Sequence, residues 1–369
     1  MEWALKIFNK GIVAFLAGLG VLLSFPDAFA DRFNTETSSS AEFLGMGNAA
    51  ISSGRGPYAM FYNPANLSSK ETKTVIQPIN MQLDANPGLL GQGLSVGSFA
   101  NLSSLYGSLK KTPDNYVSGR YSIYPNLTSR YFSFGLLYEK AQGAMVRSTD
   151  GALIVRARDR FAPSAATSLR LLSGILRFGL SLQLLTVGAA DETYLVPVNT
   201  SSLSYGSAIK SGMGISKNVG VTVTLPIRYL PSFSLVGRDL ASTTYSSRGL
   251  LSFGSAGKPT AQPMTFDLAI SGTMYLTRRI ELKGEFDYKD VTLALGGTVL
   301  QRGFMGADLV FFDLIHLRGG LAHGYFTGGL GFDTRKSSLD IATYADEFGS
   351  ALRGSADRRY VFQYTWGFL

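Results

Sequence analysis

The 369-residue sequence has no cysteine, only two histidines and few charges. Without cysteine there are no disulfides, zinc–thiolate sites or iron–sulfur clusters, and no thiol for lipid attachment. His316 and His323, without a nearby acidic cluster, do not make a metal-ligand set. Charged residues are 16% of the chain, against about 25% in ordinary soluble domains. Outside residues 1–30 no apolar run approaches the roughly eighteen uninterrupted residues that a membrane-spanning helix needs. What is abundant is glycine (42), phenylalanine (24) and tyrosine (18). Few charges, many glycines and aromatics, and no membrane helix favour an all-β transmembrane barrel over a secreted sandwich or propeller.

Residues 1–30 read as a secretory signal. Lys6 and Lys10 precede an apolar run from Gly11 to Phe25, and Ala28-Phe29-Ala30 forms a small-residue cleavage site before Asp31. The net charge is +8. No Lys/Arg block is long, so nucleic acid is not the expected partner. The charge is read as spread over loops and lumen, facing anionic lipid head groups.

A barrel strand alternates apolar residues facing lipid with polar residues facing the lumen, over about 9–11 residues. Residues 279–289 fit best. Ile280, Leu282, Gly284, Phe286 and Tyr288 share one face, and Arg279, Glu281, Lys283, Glu285, Asp287 and Lys289 share the other. On a helix these charges would spread all round. Residues 219–229 alternate similarly, with a bend expected at Pro226, which cannot donate to a ladder. Further stripes are Phe132/Phe134/Leu136/Tyr138, Phe178/Leu180/Leu182/Leu184 and Met264/Phe266/Leu268/Ile270. The chain ends on Tyr360, Phe362, Tyr364, Trp366 and Phe368 at alternate positions. That aromatic last strand is the kind that barrel-assembly machinery recognises. About 14 strands are expected between residue 71 and the end, with residues 86–115 forming a short helix and loop over one mouth and 346–358 a loop.

Two motifs suggest chemistry. Gly45-x-Gly47-x-x-Ala50 could pass for a dinucleotide fingerprint, but Thr35–Ser40 before it is polar and turn-like, where the fingerprint needs a buried strand. Gly93-Leu94-Ser95-Val96-Gly97 matches a nucleophile elbow, and a lipid hydrolase would then need His316 or His323 beside Ser95. The window is so rich in Gly and Ser that a chance match is cheap. No catalytic residue, cofactor or metal is expected.

Gly45-Met46-Gly47-Asn48-Ala49-Ala50 followed by Asn63-Pro64-Ala65-Asn66-Leu67, together with GADLVFFDLIHLRGGLAHGYFTGGLGF, LDIATYADEFG and DRRYVFQYTWGF near the end, resemble the FadL-type outer-membrane transporter superfamily, including its PorV-like branch. The resemblance implies a 14-stranded antiparallel barrel (71–369) in a Gram-negative outer membrane, whose N-terminal segment (31–70) folds inward as a plug, or hatch. Gly45, Gly47, Asn63, Pro64 and Ala65 are then hatch residues, and Phe61 and Tyr62 are expected to line a hydrophobic path. The implied function is passive uptake of hydrophobic compounds such as long-chain fatty acids, which leave through a wall gap made by a strand kink. The implied partners are the hydrophobic ligand, outer-membrane lipid and lipopolysaccharide, and the barrel-assembly machinery. The PorV-like branch implies instead a role in protein secretion or surface assembly.

Overall fold

A computed structural model describes residues 38–69, 74–94, 96–195, 209–247, 249–296, 298–347, 353 and 356–368. The signal region 1–30 and Ser95 lie outside the described residues. Fifteen strand segments form one antiparallel sheet: β1 (Val75–Ala85), β2 (Val117–Ile123), β3 (Asn126–Thr128), β4 (Phe132–Val146), β5 (Leu153–Leu171), β6 (Leu176–Tyr194), β7 (Lys210–Thr224), β8 (Ser232–Arg238), β9 (Thr265–Thr277), β10 (Ile280–Tyr288), β11 (Gly303–Phe311), β12 (Ile315–Ala322), β13 (Tyr325–Asp333), β14 (Ser337–Glu347) and β15 (Ala356–Phe368). Neighbours in sequence are neighbours in space, and β15 pairs with β1, which closes the ring. β2 and β3 both lie between β1 and β4, so together they make one interrupted stave and the barrel has 14.

The alternation reads through directly. On β10 Glu285 and Asp287 are buried inside while Phe286 between them is exposed on the outside. Exposed apolar residues such as Phe134, Leu182, Leu317, Leu330 and Phe362 form a belt round the outer wall, the surface that a bilayer covers. Inward charges are paired: Arg120 with Asp84 (2.6 Å) and Arg158 with Glu139 (3.1 Å). Pairing of this kind offsets the cost of holding ions away from bulk water.

The long connections leave one end of the barrel, which also carries the tight His323–Gly324 turn between β12 and β13, and the other end, the short-turn end, has only short connections. β4 to β7 run 15–19 residues, more than a bilayer needs. Against their loop ends pack the helices Pro87–Gly91 and Leu102–Leu109, through Leu89, Leu102, Leu105 and Leu109 on Val117, Val146 and Val155. This is the expected cover over one mouth, built as helical turns.

One segment departs from expectation. Residues 219–229 are not a continuous strand: β7 stops at Thr224 and Leu225–Leu230 form an exposed turn. Pro226 ends the ladder rather than bending it. Leu225 N–H donates to the Pro231 carbonyl (2.9 Å), which closes the turn. The final loop is also shorter than 346–358, since β14 runs to Glu347 and β15 starts at Ala356.

Candidate functional site

Residues 38–69 lie inside the barrel as a plug. Ser40 caps the helix α1 (Ala41–Gly45), its hydroxyl accepting from the Phe43 N–H (3.4 Å). α1 runs against β13 and β14, where a Cβ on Gly45 would stand 3.1 Å from the Gly329 Cα. Gly47 has φ +67°, and a Cβ there would fall 2.4 Å from the Met305 carbonyl oxygen. The wall answers with its own glycines: a Cβ on Gly306 would lie 2.0 Å from the Met46 carbonyl oxygen, and one on Gly320 2.6 Å from the Gly47 nitrogen. Backbone therefore lies directly on backbone. The Gly-x-Gly spacing serves close packing and left-handed geometry.

The next turn is held by β10. The Ala50 and Ile51 N–H groups both donate to Asp287 Oδ2 (2.9 and 3.2 Å). The Ser52 and Ser53 N–H groups donate to the two oxygens of Glu285, and the Ser53 hydroxyl adds a third bond. Alternation on the strand is what places both carboxylates in the lumen. Asn63 fixes the far end: its side-chain oxygen accepts from Ala65 N–H (3.0 Å), and its amide donates to the Ile51 carbonyl (2.8 Å) and to Thr222 (2.9 Å). Pro64 opens the 3-10 turn Pro64–Ser68, a position where its missing N–H costs nothing. Here too the wall is glycine: a Cβ on Gly220 would stand 1.9 Å from Asn63 Oδ1, and one on Gly179 2.1 Å from the Pro64 carbonyl carbon. The plug thus rests on β11–β13 at one end and on β6 and β7 at the other, roughly opposite sides of the ring.

Glu42 lies on the free flank of α1, 3.9 Å from Arg318. It is deep in the lumen, although its side chain opens into internal space. Burial holds its carboxyl up at about 7; Arg318 pulls it down, while Asp340, Asp333 and Asp308 push it up.

Between plug and wall is an aromatic cluster. Tyr124 interrupts the β2–β3 stave and turns its ring inward, with centroids 5.2 Å from both Tyr58 and Phe61. Its ring fills the space above Gly135, where a Cβ would be 2.4 Å away. Its hydroxyl donates to the Pro57 carbonyl (3.2 Å). The adjoining wall lacks two donors, because Pro125 on this stave and Pro78 on β1 supply no N–H, although the Tyr124 N–H donates to the Asn80 carbonyl (2.8 Å), and the β1–β15 register shifts between Ile76 and Ile79. Tyr58 donates to Asn80 (3.2 Å), and Gln363 donates to both (3.1 and 2.9 Å). Sequence reasoning missed Pro78, Tyr124 and Pro125. The available signal was a proline inside each of two consecutive strand patterns.

On the loop side of the plug lies a cavity of about 130 Å³. Its lining mixes apolar and polar surface: Arg160, Arg238, Lys289 and Arg302 stand beside Asp239, Asp267 and Asp290, with Tyr62 and Phe304 as the aromatic surface. The Lys289 ammonium donates to the Asn48 carbonyl (2.7 Å) and stands 4.3 Å from the Phe304 ring centroid. Arg238 ties the plug to the wall, bonding Asp267 and the carbonyls of Phe61 and Tyr62. Of the two residues expected to line a path, Tyr62 borders this cavity and hydrogen-bonds Asn48, whereas Phe61 is packed on Tyr124. The histidines do not meet. His316 bonds Asp308 (2.9 Å) at one end of β12, and His323, just beyond its other end, bonds the Gln301 carbonyl (3.0 Å).

No protein-family model matches the sequence, and no curated protein does either. Solved structures do match. The Pseudomonas putida toluene transporter TodX is 14% identical, over 91% of this chain and 99% of that one, with a TM-score of 0.51. A deletion variant of the TodX monoaromatic hydrocarbon channel is 12% identical, over 90% and 99%, with a TM-score of 0.50. At such identities the likeness establishes the fold: a closed barrel with its N-terminal segment inside.

Proposed function

Starting from a fold shared with the FadL-type hydrocarbon channels, we propose that this chain is a Gram-negative outer-membrane channel for passive uptake of hydrophobic compounds, with long-chain fatty acids as its cargo. The carrying observation is the cavity on the loop side of the plug, which Tyr62 borders, while Phe61, next to Tyr62 in the chain, packs on Tyr124. Arg238 and Arg302 are paired with Asp267 and Asp290, which leaves the Lys289 ammonium to meet a carboxylate, and Tyr62 and Phe304 suit an apolar body. The path runs from this cavity past Tyr62 and Phe61 to Tyr124, then sideways between β1 and the β2–β3 stave into the bilayer. Asn63, Pro64 and Ala65, with Gly45 and Gly47, hold the plug that closes the direct route. The division into leader (1–30), plug (31–70) and barrel (71–369) belongs to this reading.

No catalysis is part of this reading; Ser95 lies outside the described residues, and His316 and His323 bond Asp308 and the Gln301 carbonyl. The outward aromatic face of β15 suits recognition by assembly machinery, and the outer wall at the loop end suits lipopolysaccharide.

Uptake of labelled oleate and labelled toluene by cells lacking the gene tests the reading. Wild type should restore oleate uptake. Tyr124→Ala should raise it by opening the wall, and Lys289→Gln should lower oleate uptake several-fold more than toluene uptake. Unchanged uptake of both compounds on restoring the gene would sink the transport reading and favour the secretion role.

A further inference from the structure

The short-turn end carries charge that the plug and cavity do not use. Arg228, Arg278, Arg279, Arg335 and Lys336 are all exposed there, and none has an ion pair among the described residues. The exposed acid of these turns is Asp313; Asp333 faces His316 instead (3.4 Å). At the loop end two arginines have partners, Arg147 with Asp150 (2.6 Å) and Arg156 with Asp191 (3.3 Å), while Lys110, Lys111, Lys210 and Lys258 are exposed lysines.

The cations at the short-turn end are interleaved with exposed apolar side chains. Tyr131, Leu172, Ile227, Tyr229 and Phe312 project from successive turns. The Arg228 guanidinium lies 4.8 Å from the Tyr229 ring centroid, and that of Arg279 5.5 Å from the Phe312 ring centroid. The turn bearing Arg228 and Tyr229 is anchored, since Thr273 N–H donates to the Tyr229 carbonyl (2.8 Å). These apolar residues continue the lipid-facing belt of the wall through Leu171, Leu276 and Phe332. Aromatic rings settle at the head-group level, and long cationic side chains reach from there to phosphates. Guanidinium binds phosphate in a two-pronged geometry that a zwitterionic head group partly cancels.

We propose that the short-turn end is a basic collar that selects anionic phospholipid head groups from the leaflet surrounding it. An acidic protein would meet the same cations, but it would leave the interleaved aromatic and aliphatic side chains without a bilayer to enter. The attraction is surface electrostatics, worth several-fold enrichment at low salt and weakened by screening.

The full-length barrel is reconstituted in phosphatidylethanolamine vesicles containing spin-labelled phosphatidylglycerol or spin-labelled phosphatidylcholine. The motionally restricted fraction of each label is then compared. Wild type should retain phosphatidylglycerol several-fold over phosphatidylcholine, with the excess shrinking as salt rises. Replacing Arg228, Arg278, Arg279, Arg335 and Lys336 together by Gln should bring the ratio near one, with folding checked by heat-modifiable gel mobility. If that variant does not assemble, Arg278→Gln with Arg279→Gln alone should lower the ratio in part. Lys110→Gln with Lys111→Gln, at the opposite end, should leave it unchanged. A wild-type ratio of one overturns the proposal, whatever acidic protein the collar then retains. So does an equal loss in the loop-end variant, which would trace the effect to net charge alone.

Discussion

At the scale of single residues, the plug is fixed where side chains are absent or fully bonded. Gly47 combines a left-handed backbone with contact against the Met305 and Leu321 backbones. Gly47→Ala should cost roughly 1–3 kcal/mol of plug docking, from strain at positive φ plus overlap. Planar-bilayer recordings should then show more frequent open events from a barrel whose heat-modifiable mobility is unchanged; silent recordings would mean that the plug absorbs the methyl group. Glu42 offers a pH test. Its carboxyl sits above the ordinary 4.5, at about 7, in the docked plug, so the docked state binds the proton more tightly than the released one. Its contribution to docking is complete below the ordinary value and is lost as pH rises through the docked one. The protection of residues 41–54 against hydrogen exchange, taken relative to the base-catalysed intrinsic rate at each pH, should therefore fall between about pH 5 and pH 8 in wild type. Glu42→Gln should flatten that change, and an identical pH profile in the variant would rule Glu42 out as its source.

At the scale of elements, β10 shows how a two-residue period becomes a latch. Glu285 and Asp287 face inward because Leu282, Gly284 and Phe286 face lipid, and four consecutive N–H groups of the plug meet the two carboxylates. Hydrogen bonds of this kind are each worth about 0.5–3 kcal/mol, the upper part of the range where the acceptor is ionised. Glu285→Gln combined with Asp287→Asn should release the 50–53 turn while β10 keeps its pairing with β9 and β11. Limited proteolysis would read this as a new cut in the plug alone; protection equal to wild type would show that the glycine contacts suffice. The strand period and the partition of its side chains were legible beforehand. The recipient of the carboxylates was not, because the turn and β10 are separated by more than two hundred residues. The end of β7 was misjudged for a local reason: Leu225, Ile227 and Tyr229 keep the apolar spacing after Pro226 has already ended the ladder.

At the scale of the whole molecule, closing β15 on β1 removes both sheet edges and makes the inside one continuous surface. Closure also decides what the small residues mean. The sequence by itself determined the barrel, its approximate strand number, the lipid-facing and lumen-facing sets, and an N-terminal segment rich in small residues, because each of these follows from local periodicity and composition. Only the tertiary structure decided that Gly45 and Gly47 meet Gly329, Gly306 and Gly320, that Asn63 and Pro64 sit on Gly220 and Gly179, and that Tyr124 packs over Gly135 and against Tyr58. Those contacts join residues far apart in the chain, and no local pattern specifies which wall position stands opposite which plug residue until the ring has closed.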